Sequence, residues 1–146
     1  MTTIAFDGKT LAADGQITRG VSTVMTLGQQ KIFKSVGVFD VISFAGDWEP
    51  VVEFLAWAVN PDIENPPAGD YTVIFVIDGV VMCSGMDTPF NEYVTVKKCE
   101  IDAWGSGSLV ALGAMHSGKS ARQAVNLACK LDVFTGGTVR SVRIVK

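Results

Sequence analysis

Histidine occurs once in this chain of 146 residues, at His116, so a metal centre that needs two imidazoles has no second ligand of that type. The three cysteines, Cys83, Cys99 and Cys129, are odd in number, widely spaced and set among apolar neighbours. That suits reduced, buried thiols better than a disulfide framework. Basic residues are also in deficit: 12 Lys and Arg against 15 Asp and Glu leave a net charge of -3. The basic residues are scattered, which removes the electrostatic case for nucleic acid or an anionic membrane as a partner. Long apolar runs are missing too. Stretches such as Val73 to Ile77 fall far below the roughly 18 residues of a membrane-spanning helix. The first residues, Met1-Thr2-Thr3-Ile4-Ala5-Phe6-Asp7, carry neither a basic segment nor an apolar stretch of signal-peptide length, so the expected location is cytoplasmic.

What is present is an ordinary globular composition, 48% hydrophobic and 18% charged, with a mean hydropathy of +0.32. The length suits one domain spanning 1–146, able to bury on the order of 70% of its unfolded surface. No internal repeat, low-complexity tract or linker divides it. Short β-type segments come first: Thr3 to Phe6, Thr10 to Thr18, Lys31 to Val36 and Val38 to Phe44. The period then changes. Asp47 is placed to cap a helix whose Val51, Phe54, Leu55, Ala58 and Val59 recur at helical spacing until Asn60-Pro61 ends it. The proline-bearing stretch Asp62 to Asp70 reads as a surface loop.

Strand signals return at Tyr71 to Ile77, and Asp78-Gly79 is a hairpin turn into Val80 to Ser84. Two more strand candidates cover Tyr93 to Val96 and Glu100 to Trp104. Helices are expected over Ser108 to Met115 and Ala121 to Leu131, the second opened by a capping box of Ser120 and Gln123. Thr138 to Val145 is a closing strand. This order implies an α+β sandwich.

Two features bear on chemistry before any resemblance is considered. A small residue at position two normally permits removal of the initiator methionine, leaving Thr2 with a free α-amino group beside its own hydroxyl. An amine with a reference pKa near 7.7 to 8.0 can take the hydroxyl proton, directly or through water. The second feature is Gly113-Ala114-Met115-His116-Ser117-Gly118-Lys119-Ser120, a full match to the phosphate-loop pattern G-x-x-x-x-G-K-S. Such a loop follows a buried strand and is succeeded by further βα units. Here the residues after Ser120 allow only one helix and one strand, so a turn between two helices is the competing reading.

Six short motifs, in order along nearly the whole chain, resemble one family. Thr2-Thr3-Ile4 resembles the mature N-terminus of the HslV peptidase and proteasome β-subunit family, the threonine peptidases of the N-terminal-nucleophile class. Ala12-Ala13-Asp14-Gly15-Gln16 resembles its A-G-D-G-Q segment, and Ser43-Phe44-Ala45-Gly46 its G-F-A-G turn. Gly105-Ser106-Gly107, Ser120-Ala121-Arg122 and Asp132-Val133-Phe134-Thr135-Gly136-Gly137 resemble its G-S-G, following helix start and D-x-x-[ST]-G-G loop.

The resemblance implies a four-layer αββα sandwich of two antiparallel sheets flanked by helices. It implies Thr2 as nucleophile once Met1 is removed, Asp14 pairing with Lys31 beside it (Lys34 being the substitute), and the Gly46 N–H as oxyanion donor. It further implies that Ser106, Asp132 and Thr135 support the terminal amine, and that substrate lies extended between Thr18 and Gly46, with Phe44 shaping an apolar or small specificity pocket. No cofactor or metal is required for hydrolysis. The implied partners are copies of the chain in a ring, unfolded polypeptide as substrate, and an HslU-like ATPase, the one route by which ATP would enter. The chain departs from the family between Gly46 and Tyr71, where one outer helix is reduced, which bears on ring assembly and on the ATPase contact. Three functions stay open: a self-compartmentalising peptidase, an inactive ring-forming scaffold if Met1 is retained, and a nucleotide-binding protein using Gly113 to Ser120.

Overall fold

Alternation of large and small side chains in the first two strands decides the layering. The structure, a computed structural model, describes residues 2–19, 23–61, 66–86 and 97–145. In β1 (Thr3–Phe6) and its antiparallel partner β2 (Thr10–Ala13), Ile4, Phe6, Leu11 and Ala13 face one way, while Ala5 and Ala12 face the other. Two residues per repeat send alternate side chains to opposite faces, so the large set and the small set build separate interfaces.

The small face receives helices. Here α2 (Ser108–His116) and α3 (Ala121–Leu131) pack on Ala5 and Ala12 through Ala111, Ala114, Ala121 and Ala124, all buried. Alanine on both sides lets helix and sheet approach closely. The large face meets a second sheet. With β10 (Asp102–Gly105) and β11 (Arg140–Arg143), the first two strands form a four-stranded antiparallel sheet in the order β10-β1-β2-β11. Opposite it lies a five-stranded antiparallel sheet of β5 (Ile32–Val36), β6 (Phe39–Gly46), β7 (Tyr71–Ile77), β8 (Val80–Gly85) and β9 (Lys97–Lys98), in that order. Ile4 and Leu11 pack there on Ile32, Val41, Ile74 and Val76.

The same alternation in β6 turns Ile42 and Phe44 outward onto α1 (Val51–Val59), whose Val51, Phe54 and Ala58 are buried against them. The Phe44 and Phe54 rings meet edge to face with centroids 5.3 Å apart. The order of layers is therefore helix pair, sheet, sheet, helix. Each fully buried Ile, Leu or Phe of these interfaces contributes about 1.5–3 kcal/mol relative to exposure.

Several expectations from sequence are met and others corrected. The Asp78-Gly79 hairpin has positive φ at both central residues, 50° and 73°, the geometry of a type I′ turn. The capping box is complete, with the Gln123 N–H donating to Ser120 Oγ at 3.2 Å and the Ser120 N–H to Gln123 Oε1 at 3.0 Å. The single strand expected over Thr10 to Thr18 is two, β2 and β3 (Ile17–Arg19). Gly15 leaves the ladder to bond elsewhere: its N–H donates to Gly136 O at 3.0 Å and its carbonyl accepts from the Gln29 N–H at 2.9 Å. A strand not anticipated, β4 (Thr23–Thr26), pairs with β3 as a separate ribbon. Asp47 does not cap α1. Pro50 occupies the N-cap without a side-chain bond, and the Asp47 N–H donates to Asp70 O. Tyr93 to Val96 lies outside the described residues.

The phosphate-loop match is a turn between α2 and α3. Gly113 to His116 are helical, and the N–H groups of Ser117, Gly118 and Lys119 donate to carbonyls of Gly113, Met115 and Ala114. The N-terminus of α3 is held by Ser120 and by the Asp7 carboxylate, which accepts from the Ala121 N–H at 2.8 Å. The N–H groups of Ser117 to Ala121 are therefore already engaged and are not free to cradle a phosphate.

Candidate active site

Position two places its hydroxyl at the end of the four-stranded sheet that faces the partner sheet. Thr2 immediately precedes β1 and is buried, and its carbonyl accepts from the Ser106 N–H at 2.9 Å. That approach requires a glycine at position 105. A Cβ there would lie 1.7 Å from Thr2 O, and Gly105 has φ +95°. Thr2 Oγ1 donates to Asp14 Oδ1 at 3.0 Å and accepts from the Lys31 ammonium.

Asp14 sits where β2 ends. Its Oδ1 also accepts from the Thr3 N–H and from Lys31 Nζ, at 3.0 and 2.8 Å, and its Oδ2 from the N–H groups of Gly136 and Gln16, at 3.1 and 3.4 Å. Five donors around one carboxylate explain how a charge can be 1% exposed. Lys31 enters from the other sheet, one residue before β5, with its carbonyl fixed by Ser43 Oγ at 2.6 Å. Its ammonium reaches across to Thr2 Oγ1, to Asp14 Oδ1 and to Gln16 O, the last at 2.6 Å. Burial pulls the Lys31 pKa below the ordinary lysine value, against the opposing pull of Asp14. Lys34, the substitute, is exposed on β5 and takes no part.

A second hydroxyl chain lies beside this triad. Asp132 Oδ2 accepts from Ser106 Oγ at 2.6 Å and from Thr135 Oγ1 at 2.5 Å. Thr135 Oγ1 stands 2.6 Å from Thr3 Oγ1, and because its single proton goes to Asp132, Thr3 is the donor. The Gly107 N–H donates to Thr3 Oγ1 at 3.0 Å, completing a one-directional relay that ends on the carboxylate. Burial pushes Asp132 up, but the Ser106 and Thr135 hydroxyls and the Phe134 N–H outweigh it and hold the carboxyl below its usual value.

Thr2, Thr18, Gly46 and Ser106 line one open cleft of about 800 Å³. Gly46 has φ +102°, and a Cβ would meet Asp70 O at 2.5 Å, so this wall requires glycine. Phe44 is not in the cleft. It is fully buried under α1 and reaches it only through Trp48, whose ring it meets edge on with centroids 6.3 Å apart. The alternation of β6 puts its side chain on the outer face, so the apolar specificity expected from Phe44 is withdrawn.

The structure thus gathers Thr2, Asp14 and Lys31 in one cluster and Ser106, Asp132 and Thr135 in an adjoining one, with Thr18 and Gly46 in the cleft wall. Sequence reasoning assigned no role to Thr3, Gln16 or Gly136, which hold the two clusters together. Gln16 Nε2 donates to Val133 O at 3.0 Å, tying the Asp14 turn to the Asp132 loop. All three fall inside quoted motifs, which is the signal that could have found them. Among the described residues, no helix is long and apolar enough to cross a membrane.

No family model matches the chain, and no curated protein does. Solved structures do. The chain is similar to BPH from Thiobacillus denitrificans with a TM-score of 0.67 and 19% identity, over 99% of this chain and 98% of that one. It is similar to the same protein in complex with epoxomicin with a TM-score of 0.66 and 20% identity, over 99% of both chains. What is shared is the fold. The match runs end to end along both chains.

Proposed function

We propose that this chain is a threonine-type peptidase of the N-terminal-nucleophile class, HslV-like, with Thr2 as nucleophile after loss of Met1. The observation that carries the reading is the Thr2 hydroxyl held between the Asp14 carboxylate and the Lys31 ammonium, buried, and opening on a cleft. A buried ion pair with a lowered lysine pKa at a cleft is the arrangement expected of a functional site. The solved complex of BPH with epoxomicin adds support, since that neighbour shares the fold.

The reaction follows from the donors and acceptors. The lysine charge stabilises a developing alkoxide on Thr2 Oγ1. The free α-amine takes the proton and returns it to the leaving amine, and an acyl group remains on Oγ1 until water resolves it. Gly46, in the cleft wall, supplies the N–H for the oxyanion, and one such donor is typically worth about 3–4 kcal/mol. Ser106, held by Asp132, stands next to the Thr2 backbone and orients the amine and its water. Substrate adds as an extended strand along β3 at Thr18. Unfolded polypeptide is the substrate class, and a homo-oligomeric ring the working form.

Intact mass spectrometry tests this directly. Mature protein is expected to lack Met1 and to gain the mass of one epoxomicin on incubation, with no gain in Thr2→Ala. A chain that keeps Met1 and still cleaves peptide would overturn the proposal.

A further inference from the structure

The two sheets each have an edge strand on the same side of the molecule, β5 in one and β11 in the other, and these edges meet. A pocket of about 480 Å³ opens between them, away from the Thr2 cleft. Three cations line it from three different elements: Lys34 from β5, Arg140 from β11 and Arg122 from the first turn of α3. No Asp or Glu lines it, and among the described residues none of the three makes a salt bridge. In a chain with an excess of acids, these three cations line one pocket without a carboxylate among its lining residues.

The two guanidiniums are held in place by neutral acceptors. Arg122 Nη1 donates to Ser141 Oγ at 3.2 Å and Arg140 Nη1 to Gln29 O at 3.1 Å. Each has five N–H donors in a planar fork, so most remain available, and that fork matches the oxygens of a phosphate. The volume falls in the range of small-molecule sites, roughly 300–1,000 Å³.

We infer that this pocket binds a small phosphate-bearing anion, held by Arg122, Arg140 and Lys34. The site bears on the buried lysine. Gln30 and Ile32, the neighbours of Lys31 on either side, both line the pocket, and Arg140 holds the carbonyl of Gln29. An anion that draws on Arg140 therefore acts on the segment that carries Lys31, through main chain rather than through the cleft.

Titration with inorganic pyrophosphate, followed by calorimetry at low salt, tests the inference without any need for catalytic activity. Saturable binding of one anion per chain at millimolar or lower concentration is expected, with amide chemical shifts moving at Gln30 and Ile32. Affinity is expected to fall at least about tenfold in Arg122→Gln with Arg140→Gln, as for the loss of charge-assisted bonds. Lys34→Ala, an exposed change that leaves folding alone, is expected to weaken binding as well. Absence of saturation by about 10 mM, or binding unchanged in all the variants, overturns the inference. So does binding of a short polyglutamate peptide where pyrophosphate fails, because the surface would then be one for an acidic protein partner.

Discussion

Removing one member of the Asp14–Lys31 pair should cost different amounts depending on which is removed. The pair is 2.8 Å apart and both side chains are fully enclosed. Breaking a buried pair by deleting one partner typically costs about 3–5 kcal/mol, because a charge is left without compensation. In Lys31→Met the carboxylate still accepts from the N–H groups of Thr3, Gln16 and Gly136 and from Thr2 Oγ1. That loss belongs at the lower end, about 3 kcal/mol. In Asp14→Ala the ammonium loses its carboxylate and is left against neutral acceptors such as Gln16 O and Thr2 Oγ1, and three backbone N–H groups lose their acceptor. That loss belongs at the upper end or beyond, about 5 kcal/mol.

The two variants also differ in pH dependence. Burial already lowers the Lys31 pKa in the folded chain, and deleting Asp14 removes what opposes it. Between that lowered value and the ordinary lysine pKa near 10.4, the unfolded chain holds a proton that the folded chain has released. Stability of Asp14→Ala therefore rises with pH across that window, by at most about 1.4 kcal/mol per pH unit. Lys31→Met lacks this contribution. Urea unfolding at fixed protein concentration, from pH 6 to 10, reads both effects. Equal losses below about 1 kcal/mol, or Lys31→Met as the costlier variant, would refute the reasoning and mean that water reaches the pair.

Two further outcomes follow from backbone geometry and capping. Gly105→Ala combines a positive φ with a Cβ placed 1.7 Å from Thr2 O, so it should cost several kcal/mol in thermal unfolding and abolish epoxomicin labelling together with it. Glycine and alanine of equal stability at this position would contradict the placement of Thr2. Asp7 is pushed up by burial, but the N–H groups of Ala121, Thr10 and Lys9 prevail and hold it below the usual carboxylate value. Its contribution is therefore complete above about pH 3.9 and lost as pH falls through the lowered folded value. Asp7→Asn should cost about 1 kcal/mol or less at pH 7, and less as the pH falls through the lowered folded value, a difference that acid and neutral melts would show.

The resemblance implied the chemistry-bearing residues of the candidate site, and the arrangement that brings them together was not legible in the sequence. Hydrophobic periodicity placed α1, α2, α3, β1, β6, β7 and β8 to within a few residues, because amphipathic patterns and turn residues act over a few positions. Asp14-Gly15-Gln16 was read as part of a strand. Gly15 bonds to Gly136 and Gln29, partners far along the chain, and local propensity carries no trace of them. The same holds for β4, whose Val24 and Met25 remain exposed and so leave no core pattern to detect.

The G-x-x-x-x-G-K-S match shows the opposite failure. Its residues fit a phosphate loop letter by letter, but the N–H groups of Ser117 to Lys119 are taken by the end of α2 and that of Ser120 by Gln123, while Asp7 from a distant loop takes the next one, that of Ala121. The family resemblance implies that Phe44 shapes the substrate side, and the two-residue period of β6 turns it to the other face. By itself, then, the sequence determined most of the element types and the absence of any long apolar span, and its resemblance to a family implied Thr2, Asp14 and Lys31 as a set. Only the tertiary structure decided that the carboxylate from one sheet and the ammonium from the other converge on one hydroxyl. Convergence depends on register and on sheet packing, which are set by burial summed over the whole core rather than by any residue's neighbours in sequence.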